Sequence, residues 1–137
     1  MEVQSMFRKI IAPRISELNG ARHIGHYVIP VWLEEGYIEI IKLFNPELNW
    51  ETETTLFLVN MNIDYIREMN LGKDVEVVTG IKKIGKTSLV LDQKIFQGGE
   101  LCARGASTFV NFQHSTKKST TFPTSVLEKL KEHMMED

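Results

Sequence analysis

Hydrophobic positions along this chain repeat with two different periods, and the switches between them mark the elements. Residues Phe7 to Arg14 alternate loosely and carry Ile10 and Ile11, with Ile15 just beyond, which predicts a first strand. A polar loop from Ser16 to His26 follows. From about Val28 to Phe44 the apolar residues fall at helical spacing, with Pro30 near the first turn and Asn45-Pro46 as the stop. After a turn-like stretch (Glu47 to Glu53) come four strand-like segments, Leu56–Met69, Lys73–Ile84, Thr87–Gln97 and Glu100–Gln113. Asn70-Leu-Gly72, Gly85-Lys86 and Gly98-Gly99 separate them and read as hairpin punctuation. A short amphipathic helix from about Thr124 to His133 follows Pro123, with Thr124 or Ser125 as its cap and Glu128 in a capping-box position. The expectation is an α+β chain in one domain spanning 1–137: a strand, a long helix, a four-strand antiparallel meander and a terminal helix.

The long helix constrains the architecture further. At about 100° per residue, Gly36 lies among Ile29, Trp32, Leu33, Ile40 and Leu43. Glycine inside a helix costs ~1 kcal/mol relative to alanine, so its place on an apolar face predicts close approach to a sheet. Val31, Ile38 and Ile41 make the opposite side apolar as well, and Glu35, Glu39 and Lys42 form the only polar strip. A helix apolar nearly all round is buried nearly all round. A curled sheet should therefore wrap it, with the remaining side closed by a second subunit or the terminal segments. Glu34 is the misfit, beside Ile38 and Ile41 and off the polar strip. It is predicted to be buried, and so hydrogen-bonded, paired or stripped of its charge. It reads either as a tie for the N–H groups of the preceding loop or as a catalytic carboxylate.

Composition changes this picture only by exclusion. The 137 residues fit one domain able to bury roughly 68% of its unfolded surface, and 42% hydrophobic with 25% charged residues is a soluble balance. A net charge of −2, with no basic stripe interleaved with aromatics, argues against nucleic acid as a partner. Cys102 is the single cysteine and sits in a strand-like run, so it reads as a packed thiol rather than a nucleophile or zinc ligand. No spacing of His, Asp and Glu suggests a metal site. No signal-like segment or membrane-length apolar run is evident, which makes the cytoplasm the expected compartment and a membrane partner unexpected.

Candidate chemistry concentrates where the polar loop enters the helix. The run Asn19-Gly-Ala-Arg-His23-Ile-Gly25-His26 precedes Tyr27 and Pro30, so free backbone N–H groups and the positive end of a helix dipole should converge between two histidines. Such a spot suits a polarised carbonyl oxygen or a phosphate. An imidazole titrating near ~6.5 suits a general base at neutral pH. His26 abuts the helix start and fits that role, whereas His23 fits loop geometry equally well. His114 and His133 read as surface positions.

The same loop, followed by Trp32-Leu-Glu34, resembles the hotdog-fold acyl-CoA thioesterases, most closely the 4-hydroxybenzoyl-CoA thioesterase branch. Ile63-Asp-Tyr-Ile-Arg-Glu68 with Leu71-Gly72 is similar to that family's second strand and turn. Lys86-Thr-Ser-Leu89, Gln93, Gly98 and Ala103-Arg-Gly105 resemble its third and fourth strands. The resemblance implies a sheet wrapped round the helix, and hydrolysis of an acyl-CoA thioester to a free acid and CoA. It also implies a site between two subunits of a homodimer or homotetramer, and no cofactor beyond the CoA carried by the substrate. The thioester carbonyl would be polarised by a backbone N–H at about His26, beside Gly25. The family's loop carboxylate would fall on Asn19, a neutral amide that is neither base nor nucleophile. Asn19 would then orient water or substrate while His26, His23 or Glu34 acts as the base; alternatively the chain hydrolyses slowly, or binds thioesters without cleaving them, or the loop carboxylate is Glu17 in a differently shaped loop. Tyr27, Val31 and Trp32 are expected to line the acyl pocket. Lys82, Lys83, Lys86, Lys117 and Lys118, with Ser119 and Thr120, are candidates for the CoA phosphates at its rim.

Two further readings compete. A hotdog dehydratase or hydratase would pair His23 or His26 with Glu34, but the Gly/Pro-rich loop expected around its histidine is absent. A cystatin-like cone also curls a sheet against a helix, and leaves the loop motif unexplained.

Overall fold

Residues 6–49 and 51–135 are described by the structure, a computed structural model. Trp50, in the predicted turn-like stretch, lies outside the described residues. The elements are β1 (Phe7–Ile11), α1 (Ile29–Gly36), α2 (Ile38–Phe44), β2 (Thr54–Tyr65), β3 (Val75–Ile84), β4 (Ser88–Gln97), β5 (Glu100–Gln113), β6 (Lys118–Ser119) and α3 (Thr124–Lys131). They form one antiparallel sheet in the order β1-β3-β4-β5-β2, with β6 paired to the end of β5.

Alternation builds this sheet. Val75, Val77, Thr79 and Ile81 on β3 and Leu89, Leu91, Gln93 and Ile95 on β4 all face the helices and are essentially fully buried. Register slips at Val59, Lys82 and Cys102 insert one extra residue each, and such bulges bend a sheet. The sheet therefore curls round the helical segment, as the two-sided apolar helix requires. Gly98 and Gly99, with φ of +60° and +79°, make the two-residue turn between β4 and β5.

The expected four-strand meander holds only for β3, β4 and β5. β2 pairs with the far side of β5, so the chain from Ile66 to Asp74 crosses the sheet end instead of turning back at Asn70-Leu-Gly72. The crossing is fixed by hydrogen bonds. The Cys102 carbonyl accepts the Ile66 and Arg67 N–H groups at 2.8 and 3.0 Å. The Gln97 amide accepts from Asn70 N and donates to the Asn70 and Lys73 carbonyls.

The predicted long helix is broken at Tyr37 (φ −101°, ψ 11°). Gly36 lies against β3 so closely that a Cβ there would overlap Val77, which confirms the close approach inferred from its position. The break is held by two buried polar side chains. Thr79 Oγ1 donates to the Gly36 carbonyl at 3.0 Å, and Gln93 Nε2 donates to the Leu33 carbonyl at 2.8 Å and to Thr79 Oγ1 at 2.9 Å. This polar row divides the core. One apolar cluster under α1 contains Trp32, Leu33, Val77 and Ile95; the other, under α2, contains Ile40, Leu91, Phe109 and Leu130. α3 carries no side-chain cap, contrary to the capping role expected of Thr124 or Ser125. The Pro123 carbonyl takes its first N–H groups instead, at 3.0 Å.

Candidate active site

The loop entering α1 is held by its own polar residues. Asn19 Oδ1 accepts the Ala21 and His23 N–H groups at 2.9 and 3.2 Å, and its main chain pairs with His23 and Arg22. These bonds close a tight turn in which Arg22 adopts a φ of +71°. Glu17 anchors the turn to the helix, since one carboxylate oxygen accepts the Arg14 N–H at 2.7 Å and the other the Trp32 indole N–H at 3.0 Å. The loop-tying role considered for Glu34 thus belongs to Glu17. Trp32 is turned inward and 1% exposed, away from any acyl pocket.

Past Gly25, whose N–H is bound by the Glu17 carbonyl, the chain makes a single 3₁₀ turn over His26–Val28 and runs into α1. Any side chain at Gly25 would overlap the Tyr27 ring that folds over it. The Val28 N–H bonds to the Gly25 carbonyl and that of Ile29 to His26, while Pro30 has none to offer. Among the described residues, the N–H groups of His26 and Tyr27 therefore have no backbone acceptor. They point out of a helix N-terminus carrying roughly half a positive charge.

A cavity of about 290 Å³ opens at this junction, lined in part by Asn19, His26, Ile29, Tyr65 and Met69. The exposed His26 ring packs edge-on against both Tyr27 and Tyr65, at centroid distances of 5.6 and 6.3 Å. The Tyr65 hydroxyl donates to the His26 carbonyl at 3.3 Å. His23 is not among the residues lining this cavity, but the His23 Nε2 contacts the carboxylate of Glu68, which is.

A second cavity, of about 360 Å³, lies between α1 and β2 and is lined by Pro30, Val31, Glu34, Tyr37, Met61 and Phe109 among others. Glu34 corrects the expectation of burial. It is exposed, and among the described residues it makes no ion pair or side-chain hydrogen bond. Burial of the Tyr37 phenol, with the Glu34 carboxylate nearby, pushes its pKa up to about 12. Tyr27, Val31 and Glu34 share one helical face and all are exposed, Tyr27 by 55% and Val31 by 58%.

The lysines lie at the other end of the molecule. Lys82, Lys83 and Lys86 belong to the β3–β4 hairpin, and Lys117, Lys118 and Ser119 to the turn and strand after β5. The Lys86 carbonyl accepts the N–H of Phe122, whose ring packs on Phe44 at the C-terminus of α2. Within one chain they share no rim with His26. Along β2, Lys118 is level with Thr54, about ten residues or ~33 Å from the Tyr65 beside His26, and Lys83 is level with Asn60, about five residues or ~17 Å from it.

Thr79 escaped the sequence reading, and Gln93 entered it only as a point of family resemblance, although their signal was present. Each is a polar residue on the buried side of an otherwise apolar alternation. Glu17 and Tyr65 carry no comparable mark.

A half-barrel sheet curled round a helix, with free N–H groups at the helix entrance, defines the hotdog class of protein. The profile of the thioesterase-like superfamily matches residues 13–130, and the chain belongs to that family. A predicted thioesterase from Bacillus stearothermophilus is similar at 41% identity and a TM-score of 0.91, over 96% of this chain and 98% of that one. The fold is shared with a thioesterase complexed with coenzyme A and Zn from Thermus thermophilus (21% identity, TM-score 0.81, 93% of each chain). It is shared too with a DHNA-CoA thioesterase from Staphylococcus aureus (19% identity, TM-score 0.80, 92% of this chain and 91% of that one). No curated protein matches the chain.

Proposed function

We propose that the chain hydrolyses acyl-CoA thioesters as a homodimer, with the His26 and Tyr27 N–H groups binding the thioester oxygen and Glu34 as the general base. The observation that carries this reading is the combination of two unpartnered N–H groups at the entrance to α1 with an exposed, unpaired carboxylate further along it. Glu34 follows His26 by eight residues, ~12 Å of axial rise. Helical side chains lean one turn towards the N-terminus, ~5 Å, which leaves room between carboxylate and junction for a thioester and one water.

Glu34 takes a proton from that water as its oxygen attacks the carbonyl carbon, and negative charge moves onto the oxygen held by the N–H groups. One such donor is worth roughly 3–4 kcal/mol of barrier. The tetrahedral intermediate then expels the CoA sulfur, which receives the proton held by Glu34. No resident cofactor or metal enters; CoA arrives and leaves as part of the substrate. Asn19 keeps the loop in shape.

A second copy completes the site. β2 is an edge strand of 12 residues exposing Phe57 by 53%, Leu58 by 41% and Val59 by 52%. Such an apolar edge demands a partner. Two β2 strands paired antiparallel about a two-fold axis bring the lysine-bearing end of one copy towards the His26 end of the other. Lys82, Lys83, Lys86 and Ser119 then face the CoA phosphates across the interface. Such a dimer is also the unit from which a homotetramer is assembled.

Glu34→Gln tests the assignment. Thiol release should fall at least ~10²-fold in kcat with an unchanged circular dichroism spectrum, since no described contact is lost. Unchanged turnover would remove Glu34 from the chemistry. The neutral Asn19 favours a second reading, binding without cleavage, for which neither protein releases thiol.

A further inference from the structure

Resting on that reading, we propose that the acyl group taken by this site is a linear, unsubstituted alkyl chain, laid along the helix through a gate formed by Ile41 and Leu56. Ile41 and Leu56 line the cavity beside Glu34, of about 360 Å³, and also line a further cavity of about 110 Å³ that reaches Phe44, Thr52 and Thr55. The two spaces therefore adjoin, with these two side chains, one on α2 and one on β2, between them. From Glu34 to Phe44 the path follows ten helical residues, ~15 Å.

Chemistry and size select the occupant. Among the described residues, Glu34 is the one charged side chain lining either space. Beyond it the walls are Tyr37, Ile41, Leu56 and Phe109, with Asn45 and threonines only at the far end. Past Glu34 the larger space offers a substituted ring only the Tyr37 hydroxyl as a polar partner, and a ring carboxylate would meet the like charge of Glu34, whereas methylenes lose nothing by burial there. An apolar cavity needs on the order of 150 Å³ to hold a benzene ring. The distal space is smaller and suits a chain in single file. A second copy of the protein also reaches this face, and the proposal requires that it roof the groove without filling it.

The test is binding of non-hydrolysable S-alkyl-CoA thioethers of increasing chain length, with S-benzyl-CoA alongside, measured calorimetrically and paired with thiol release from the matching thioesters. Affinity should rise about fourfold per methylene while the chain fills the groove. It should exceed that of the benzyl compound and then level off. Ile41→Trp should bring the plateau forward to shorter chains while leaving the shortest thioethers within a few-fold of the parent. Leu56→Phe, on the opposite wall, provides the same test should the tryptophan variant fold poorly. Affinity independent of chain length, a preference for the benzyl compound, or an Ile41→Trp plateau at the parent length would overturn the proposal. Chain-length-dependent binding without thiol release would uphold the groove and refute the hydrolase reading; thiol release with flat affinities would do the reverse.

Discussion

Replacing Thr79 by valine isolates the contact that breaks and fixes the helix. Thr79 is 0% exposed, and its hydroxyl both donates to the Gly36 carbonyl and accepts from Gln93. Valine keeps the shape and the strand preference and removes both bonds. A buried polar group left short of its partner costs roughly 1–3 kcal/mol. Here the Gly36 carbonyl bears most of that loss, because Gln93 Nε2 keeps its bond to Leu33. Burying a methyl in place of the hydroxyl returns ~0.8 kcal/mol. The net expectation is a loss of about 1 kcal/mol. For a chain of this size that lowers the melting temperature by roughly 3–5 °C. Thermal and urea unfolding followed by circular dichroism measure it, at one fixed protein concentration because an associating chain has a concentration-dependent midpoint. Thr79→Ser keeps the hydroxyl and both its bonds, and should lose a similar amount, about 1 kcal/mol, through the missing methyl alone. A valine variant as stable as the parent, or more stable, would refute the reasoning, since the hydroxyl would then not be holding the helix carbonyl.

Two other outcomes are expected. One of the three tyrosines should ionise late in an alkaline titration followed by tyrosinate absorbance, near pH 12, and Tyr37→Phe should abolish that phase. The neutral phenol is the form the fold favours, so this stabilisation is complete below the unfolded value near pH 10 and is lost as the pH rises towards 12. Glu34→Gln should move the late phase downwards, which reports the closeness of the two groups independently of activity. At the β2 edge, Val59→Lys should convert the proposed dimer to monomer in sedimentation and reduce thiol release with it; unaltered association would place the interface elsewhere.

Much of the fold was legible because burial leaves a periodic trace. The central position of Gly36 on an apolar helix face pointed to the sheet, and the sheet is where it lies. Strand alternation located β3, β4 and β5 to within a few residues. It did not reveal that β2 pairs beyond β5, because a side-chain period encodes which face is buried and not which neighbour is beside it. The helix break was hidden for a related reason. It depends on Thr79 and Gln93, 43 and 60 residues away from the carbonyls they hold. At the site, the loop was recognised but its residues were only partly sorted. Asn19 and Glu17 are spent on backbone and indole N–H groups, and Glu34 is free, which no spacing rule distinguishes. Trp32 and Val31 are adjacent in sequence, yet one is in the core and the other faces the groove, and only the phase of the helix against the sheet decides between them.

The central claim is that the entrance to α1 cleaves a thioester. Its most direct test is thiol release from alkyl and aromatic acyl-CoAs by the purified protein, with Glu34→Gln prepared in parallel. Cys102, 3% exposed and with its thiol pushed up by burial, does not compete for the thiol reagent while the protein is folded. The account predicts release well above the protein-free rate that is almost lost in Glu34→Gln. Release no faster than the protein-free rate from every acyl-CoA, by the folded protein, would contradict it.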